Sequence, residues 1–101
     1  MTGDQTPAGT ATEISRRIEI VNERGLHARA AAKFVEAVER FDAEAEVRQD
    51  GQTVLGDSIM GLLMLAAARG STIDVTTRGP EAEALMAALE RLVGDRFGET
   101  A

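Results

Sequence analysis

Cysteine is absent from the 101 residues. Disulfide scaffolds, thiol catalysis, zinc–thiolate sites and iron–sulfur clusters are thereby excluded. A single histidine rules out a multi-histidine metal site, and no cofactor is expected. Aromatics amount to 3%, with neither Trp nor Tyr, so stacking platforms for bases are missing. Positive charge is also short: 11 Lys and Arg stand against 17 Asp and Glu, a net charge of −6. Nucleic acid is therefore not an expected partner. No apolar run approaches the ~20 residues that span a bilayer, so membrane insertion is not expected. The first residues show no basic cluster leading into an apolar core, so no signal peptide is expected and the cytoplasm is the expected compartment. What is present is 44% hydrophobic and 28% charged residues, the balance of one folded domain with one core.

Residues 1–12 are small and polar without periodicity and read as a flexible tail; 13–98 read as a single domain and 99–101 as a short C-terminal tail. From Ile14 to Val21, Ile14, Ile18 and Ile20 alternate with polar residues, the period of a half-buried strand, with Arg16 as a misfit on the buried side. Asn22 to Leu26 is a loop with Gly25 as its pivot. Phe34, Val35, Val38 and Phe41 then form one stripe of a helix running from Ala28 to Phe41, with Lys33, Glu36, Glu39 and Arg40 on its outer faces. Ala43, Ala45 and Val47 alternate with Glu44, Glu46 and Arg48, Asp50-Gly51 is a strong hairpin signal, and Gln52 to Leu55 returns. A short helix is expected from Ile59 to about Ala68, ended by a left-handed Gly70. Thr72 to Thr77 alternates as a last strand. Gly79-Pro80 starts a final helix, with Pro in its first turn, Glu81 and Glu83 at its positive end, and Leu85, Leu89, Leu92 and Val93 as its buried stripe. The order is β-α-β-β-α-β-α. One-sided strands imply an α+β fold, a four-stranded antiparallel sheet covered on one face by three helices.

His27 lies between the glycine loop and the first turn of a helix, in Gly25-Leu26-His27-Ala28-Arg29. A lone histidine there can be a plain cap or surface residue. The position also suits chemistry. A helix N-terminus offers unpaired N–H groups and about half a positive charge, a ready phosphate site. Arg29, two residues on, can grip phosphate oxygens bidentately. An imidazole with an ordinary pKa near ~6.5 is largely neutral and nucleophilic at cellular pH. Such contributions, about 0.3–2 kcal/mol each, hold a phosphohistidine without trapping it.

The run Gly25-Leu26-His27-Ala28-Arg29-Ala30-Ala31-Ala32 resembles the active-site segment of the HPr family, the histidine-containing phosphocarriers of the bacterial phosphotransferase system. A second run, Ser58-Ile59-Met60-Gly61-Leu62-Leu63-Met64-Leu65, resembles the family's regulatory-serine segment, at the family's separation. The resemblance covers about Ile14 to Phe97. It implies an HPr-like open-faced sandwich acting as a carrier rather than an enzyme. Enzyme I would phosphorylate His27 at Nδ1, Arg29 would pair with the phosphate, and the group would pass to a histidine of an enzyme IIA domain. Ser58 would match the serine modified by an HPr kinase, and a monomer is expected.

Three departures stand out. Ala30 replaces the usual Pro after the active-site Arg; Glu36 and Glu39 occupy a helix face that carries lysines in sugar-system members, which points to a nitrogen-related or regulatory branch; and the N-terminal tail exceeds the family core. Ser58 also fits a plain N-cap, with Asp57 as a rival cap and no capping box. Ile59, Met60, Leu63 and Met64 cannot all point inward from a short helix; either they are core, or, with Ala32 nearby, they form an exposed apolar docking patch. Gly61 inside that helix hints at a close approach. A Ser58–His27 hydrolase lacks a nucleophile-elbow pattern. A small ferredoxin-like ligand-binding regulatory module explains the sheet but leaves His27 beside Arg29 unexplained.

Overall fold

The computed structural model describes residues 12–101. The expected N-terminal tail lies outside the described residues except for Thr12, whose carbonyl accepts from the Gly79 amide at 3.0 Å. The elements run β1 (Glu13–Glu19), α1 (Ala28–Glu39), β2 (Glu44–Gln49), β3 (Gln52–Leu55), α2 (Ile59–Leu65), β4 (Thr72–Arg78), α3 (Ala82–Gly94) and a 3₁₀ turn (Arg96–Gly98). The four strands form one antiparallel sheet in the order β1-β4-β2-β3. Fold class and element order are those expected from the sequence.

Period-two patterning sets the two faces of this sheet. On the inner face Ile18 opposes Ile73, and Val75 opposes Val47, which opposes Val54. On the open face Arg17 and Arg48 flank Asp74, and Ser15 and Glu46 flank Thr76. The inner face is covered by α3 over β1 and β4 and by α2 over β3 and β2, with α1 packed against both helices. Phe34, Ile20, Leu62, Leu85, Leu89 and Val93 fill the space between the layers. Thr77 is buried among them without cost to its hydroxyl, which donates to the Ala82 carbonyl at 2.8 Å. Arg16, the misfit, does face the helical side but stays exposed: β1 is an edge strand, and the guanidinium turns back to the Ser15 carbonyl at 3.0 Å. The Asp50-Gly51 hairpin is present, with φ of 49° and 82°, both positive as the two-residue turn requires.

Several boundaries differ from the sequence reading. Helix α1 ends at Glu39, because Arg40 and Phe41 bond back to Ala37 and Val38 and tighten the last turn. Lys33, expected on an outer face, is half-buried and donates to the Phe97 carbonyl at 2.6 Å. Helix α2 stops at Leu65, three residues early, with Ala66 rather than Gly70 as the left-handed cap (φ 53°). The cause is tertiary: Ala67 is buried, and its carbonyl accepts from the Leu26 amide at 2.9 Å, so the chain must leave the helix to dock on the Gly25 loop. Pro80 sits outside α3, which starts at Ala82 after Glu81 spends its carboxylate on the Asp42 amide at 2.7 Å. Met86 is buried and Leu92 only half-buried, so the inward stripe of α3 is Leu85, Met86, Leu89 and Val93.

Candidate functional site

The Asn22–Leu26 loop sets the site. Gly25 has a φ of +65°, and a β-carbon there would lie 2.5 Å from the Ala67 carbonyl oxygen, so only glycine fits. Asn22 is fully buried and its Nδ2 donates to the Gly25 carbonyl at 2.8 Å. Its Oδ1 has no hydrogen-bond partner among the described residues. Leu26 is buried against the core. These contacts fix the last loop residues and deliver His27 to the start of α1 in extended conformation (φ −82°, ψ −178°).

His27 is the N-cap of α1. Its Nδ1 accepts from the Arg29 amide at 3.3 Å, and its carbonyl takes the Ala31 amide at 2.8 Å. An amide can only donate, so Nδ1 presents a lone pair and the neutral ring carries its proton on Nε2. That Nε2 bonds to Oε2 of Glu99. The imidazole keeps 18% of its side-chain surface in solvent. Arg29 is exposed beside it. Arg29, Arg24, Glu23 and Glu99 line a shallow pocket of about 350 Å³ together with Thr100 and Ala101.

Residues 99–101, set apart as a tail by their sequence, thus lie against this loop. Glu99 receives Asn22 Nδ2 on Oε1 at 3.0 Å while Oε2 meets His27, and the Glu23 amide donates to the Ala101 carbonyl at 3.1 Å. The hydrogen bond from His27 holds the Glu99 carboxyl below its ordinary 4.5; desolvation opposes this, while the Asn22 amide and the positive charge of Arg24 add to it. Sequence reasoning missed Glu99. The 3₁₀ turn that delivers it places Arg96 and Phe97 at positive φ (56° and 54°), held by burial of the Phe97 ring and by Lys33 on its carbonyl. The only local signal was Gly98 beside an aromatic residue.

Ser58 caps α2: its Oγ accepts from the Gly61 amide at 3.0 Å, while Asp57 stays exposed and takes no part. Gly61 does mark a close approach, since a β-carbon there would lie 3.0 Å from Val54 Cβ. Ile59, Met60 and Met64 are exposed at 40%, 69% and 67%, Leu63 and Ala32 are half-buried, and Leu62 and Leu65 take the core positions. Glu36 and Glu39 are exposed on α1. Among the described residues no three His, Asp or Glu side chains are placed to hold a metal ion, and no helix is long and apolar enough to cross a membrane.

A partly exposed imidazole caps a helix, with an arginine two residues on, in a small α+β open-faced sandwich of one four-stranded antiparallel sheet. Comparison with known proteins makes this specific. The family described as "PTS HPr component phosphorylation site" matches residues 14–95. The chain is 44% identical over 86 residues to the phosphocarrier protein HPr of Neisseria meningitidis, covering 85% of this chain and 97% of that one. It is 39% identical over 87 residues to the phosphocarrier protein NPr of Escherichia coli K12, with the same coverage. Its fold superposes on HPr-C-His from Thermoanaerobacter tengcongensis with a TM-score of 0.83 at 35% identity, covering 87% of this chain and 99% of that one. The chain belongs to the HPr/NPr phosphocarrier family of the phosphotransferase system. It is thus of a carrier family rather than an enzyme of the usual kind, and the ferredoxin-like reading is set aside.

Proposed function

We propose that His27 accepts a phosphoryl group from phospho-enzyme I on Nδ1 and passes it to a histidine of an enzyme IIA domain, with Arg29 stabilising the phosphate. The observation that carries this reading is the place of His27 Nδ1 at the mouth of α1, where it accepts from the Arg29 amide. At 3.3 Å that hydrogen bond is long, so the amide is free to turn to a phosphate oxygen. The N–H groups of Ala28 and Arg29 have no acceptor within the helix, and Ala30 adds one that the family's usual Pro lacks. Together they form a nest for the charge that arrives. The arginine on the exposed side then grips the phosphate in transit. The carrier works in the cytoplasm and as a monomer.

Docking falls to the apolar surface of Met60, Met64, Ile59 and Leu63 with Ala32 on the neighbouring helix, where flexible methionines fit more than one partner. Glu36 and Glu39 select partners with a basic docking face, which favours the nitrogen-related or regulatory branch over a sugar acceptor with an acidic one. Ser58 is the site for an ATP-dependent HPr kinase; a phosphate there keeps its place at the helix start and adds nearly two negative charges beside the docking surface. The test of the main reading is direct. The protein is incubated with phosphoenolpyruvate and enzyme I, and an acid-labile, alkali-stable phosphate adduct is sought. A His27→Ala variant that still acquires the adduct would falsify the carrier assignment.

A further inference from the structure

Glu99 has a role of its own, which rests on His27 being the phosphoryl acceptor. We infer that Glu99 is a positioning residue that keeps the proton on Nε2 of His27 throughout the carrier cycle, so that the ring attacks through Nδ1 and departs as neutral imidazole.

The carboxylate is fixed on both oxygens. Oε1 receives Asn22 Nδ2 at 3.0 Å and Oε2 faces His27 Nε2. Asn22 is itself fully buried and anchored at 2.8 Å to the Gly25 carbonyl. On the other side, Lys33 holds the Phe97 carbonyl and the Glu23 amide holds the Ala101 carbonyl, which pins the segment that carries Glu99. The charged groups around it are Arg24 and Glu23 from the loop and Arg29 from α1; the Lys33 ammonium is engaged at Phe97. The His27 hydrogen bond first, and then the Asn22 amide and the positive charge of Arg24, hold the Glu99 carboxyl below its ordinary range against desolvation, so it stays ionised at neutral pH.

The electron count shows what such a carboxylate does. In the uncharged protein Nδ1 holds a lone pair and Nε2 a proton. That pair forms the bond to phosphorus as the donor's P–N bond breaks and the donor nitrogen keeps its electrons. The ring now bears the phosphoryl group on Nδ1 and a proton on Nε2, and is therefore cationic. Without an opposing anion it sheds that proton readily. Glu99 turns the hydrogen bond into an ion pair and retains it. On discharge the P–Nδ1 bond breaks and the pair returns to Nδ1. With the proton in place the leaving group is neutral imidazole; without it, the leaving group is imidazolate, a far poorer one.

The test compares the wild-type chain with Glu99→Gln, both charged with phosphoenolpyruvate and a phosphotransferase-system enzyme I. The lifetime of the phosphohistidine is followed from pH 5 to 9, and the ring tautomer of the uncharged proteins is read from imidazole ¹⁵N spectra. Losing an adjacent opposite charge is expected to move the lifetime profile about one pH unit lower. On its sloping part the charged variant then persists about tenfold longer. The uncharged variant is expected to show a mixture of tautomers where the wild type shows the Nε2–H form. Coincident profiles and identical tautomers would overturn the assignment while leaving the carrier reading intact. A wild-type chain that takes up no acid-labile phosphate would overturn both.

Discussion

Helices α1 and α2 begin in the same manner: each is opened by a side chain that accepts a hydrogen bond from its own first turn, His27 from the Arg29 amide and Ser58 from the Gly61 amide. The surroundings differ. Ser58 makes a 3.0 Å bond and starts a seven-residue helix whose outer side is bare apolar surface. His27 makes a longer 3.3 Å bond, sits on a loop locked by Asn22 and Ala67, and has its second nitrogen engaged by a carboxylate from the far end of the chain. The two caps share their geometry and differ in what stands behind the capping side chain: a carboxylate meets the second nitrogen of His27, while the Ser58 hydroxyl meets only its own first turn among the described residues.

The widest gap between the two caps should open on removing each. His27→Ala is expected to abolish formation of an acid-labile phosphate adduct with enzyme I and phosphoenolpyruvate, measured by phosphate labelling, whereas Ser58→Ala is expected to leave that uptake intact. Arg29→Ala should slow phosphoryl transfer by about 10²-fold, the usual scale for losing one preorganised donor, with the melting temperature almost unchanged because the side chain is exposed. The locked loop is the next point of contrast. Gly25→Ala is expected to cost more than about 1–3 kcal/mol in a denaturant melt, since positive φ alone carries that strain and the methyl must also displace the Ala67 carbonyl oxygen; Gly51→Ala, also left-handed but with nothing within 4 Å among the described residues, should cost only about 1 kcal/mol. Ser58→Ala should lower stability by about 0.5–2 kcal/mol through loss of the cap.

The smallest effect concerns acid. Glu99 titrates below its ordinary 4.5 in the folded chain, so its stabilising contact is fully present above pH 4.5 and fades as pH falls through the lowered value. Thermal melts of the wild type and Glu99→Gln should therefore converge on acidification from pH 6 to pH 3. A gap that stays constant over that range would remove Glu99 from the list of groups linked to acid stability.

The strands, the hairpin and the buried stripe of α1 were legible because their signals are local: Ile73 and Val75 alternate with Thr72 and Asp74, and Asp50-Gly51 demands a tight turn wherever it stands. The end of α2 was not. Nothing near Ala66 asks for a left-handed alanine; Ala67 takes that path because its carbonyl serves Leu26, far away in the chain. Half of the candidate site was readable for the same reason as the strands. His27 and Arg29 lie two residues apart at a helix start, whereas Glu99 reaches His27 across a separation of 72 residues, through a turn that only tertiary packing supports. Short-range chemistry shows in a sequence; a carboxylate brought home by the last turn does not.

The bare side of the sheet offers a handle. Thr53, exposed on β3 opposite Arg48, looks away from the helical layer where His27 and the methionines lie, and the chain has no native thiol to compete. A lone cysteine at that position would accept a dye or an attachment chemistry at one defined point, leaving the working surface unencumbered for watching partners come and go.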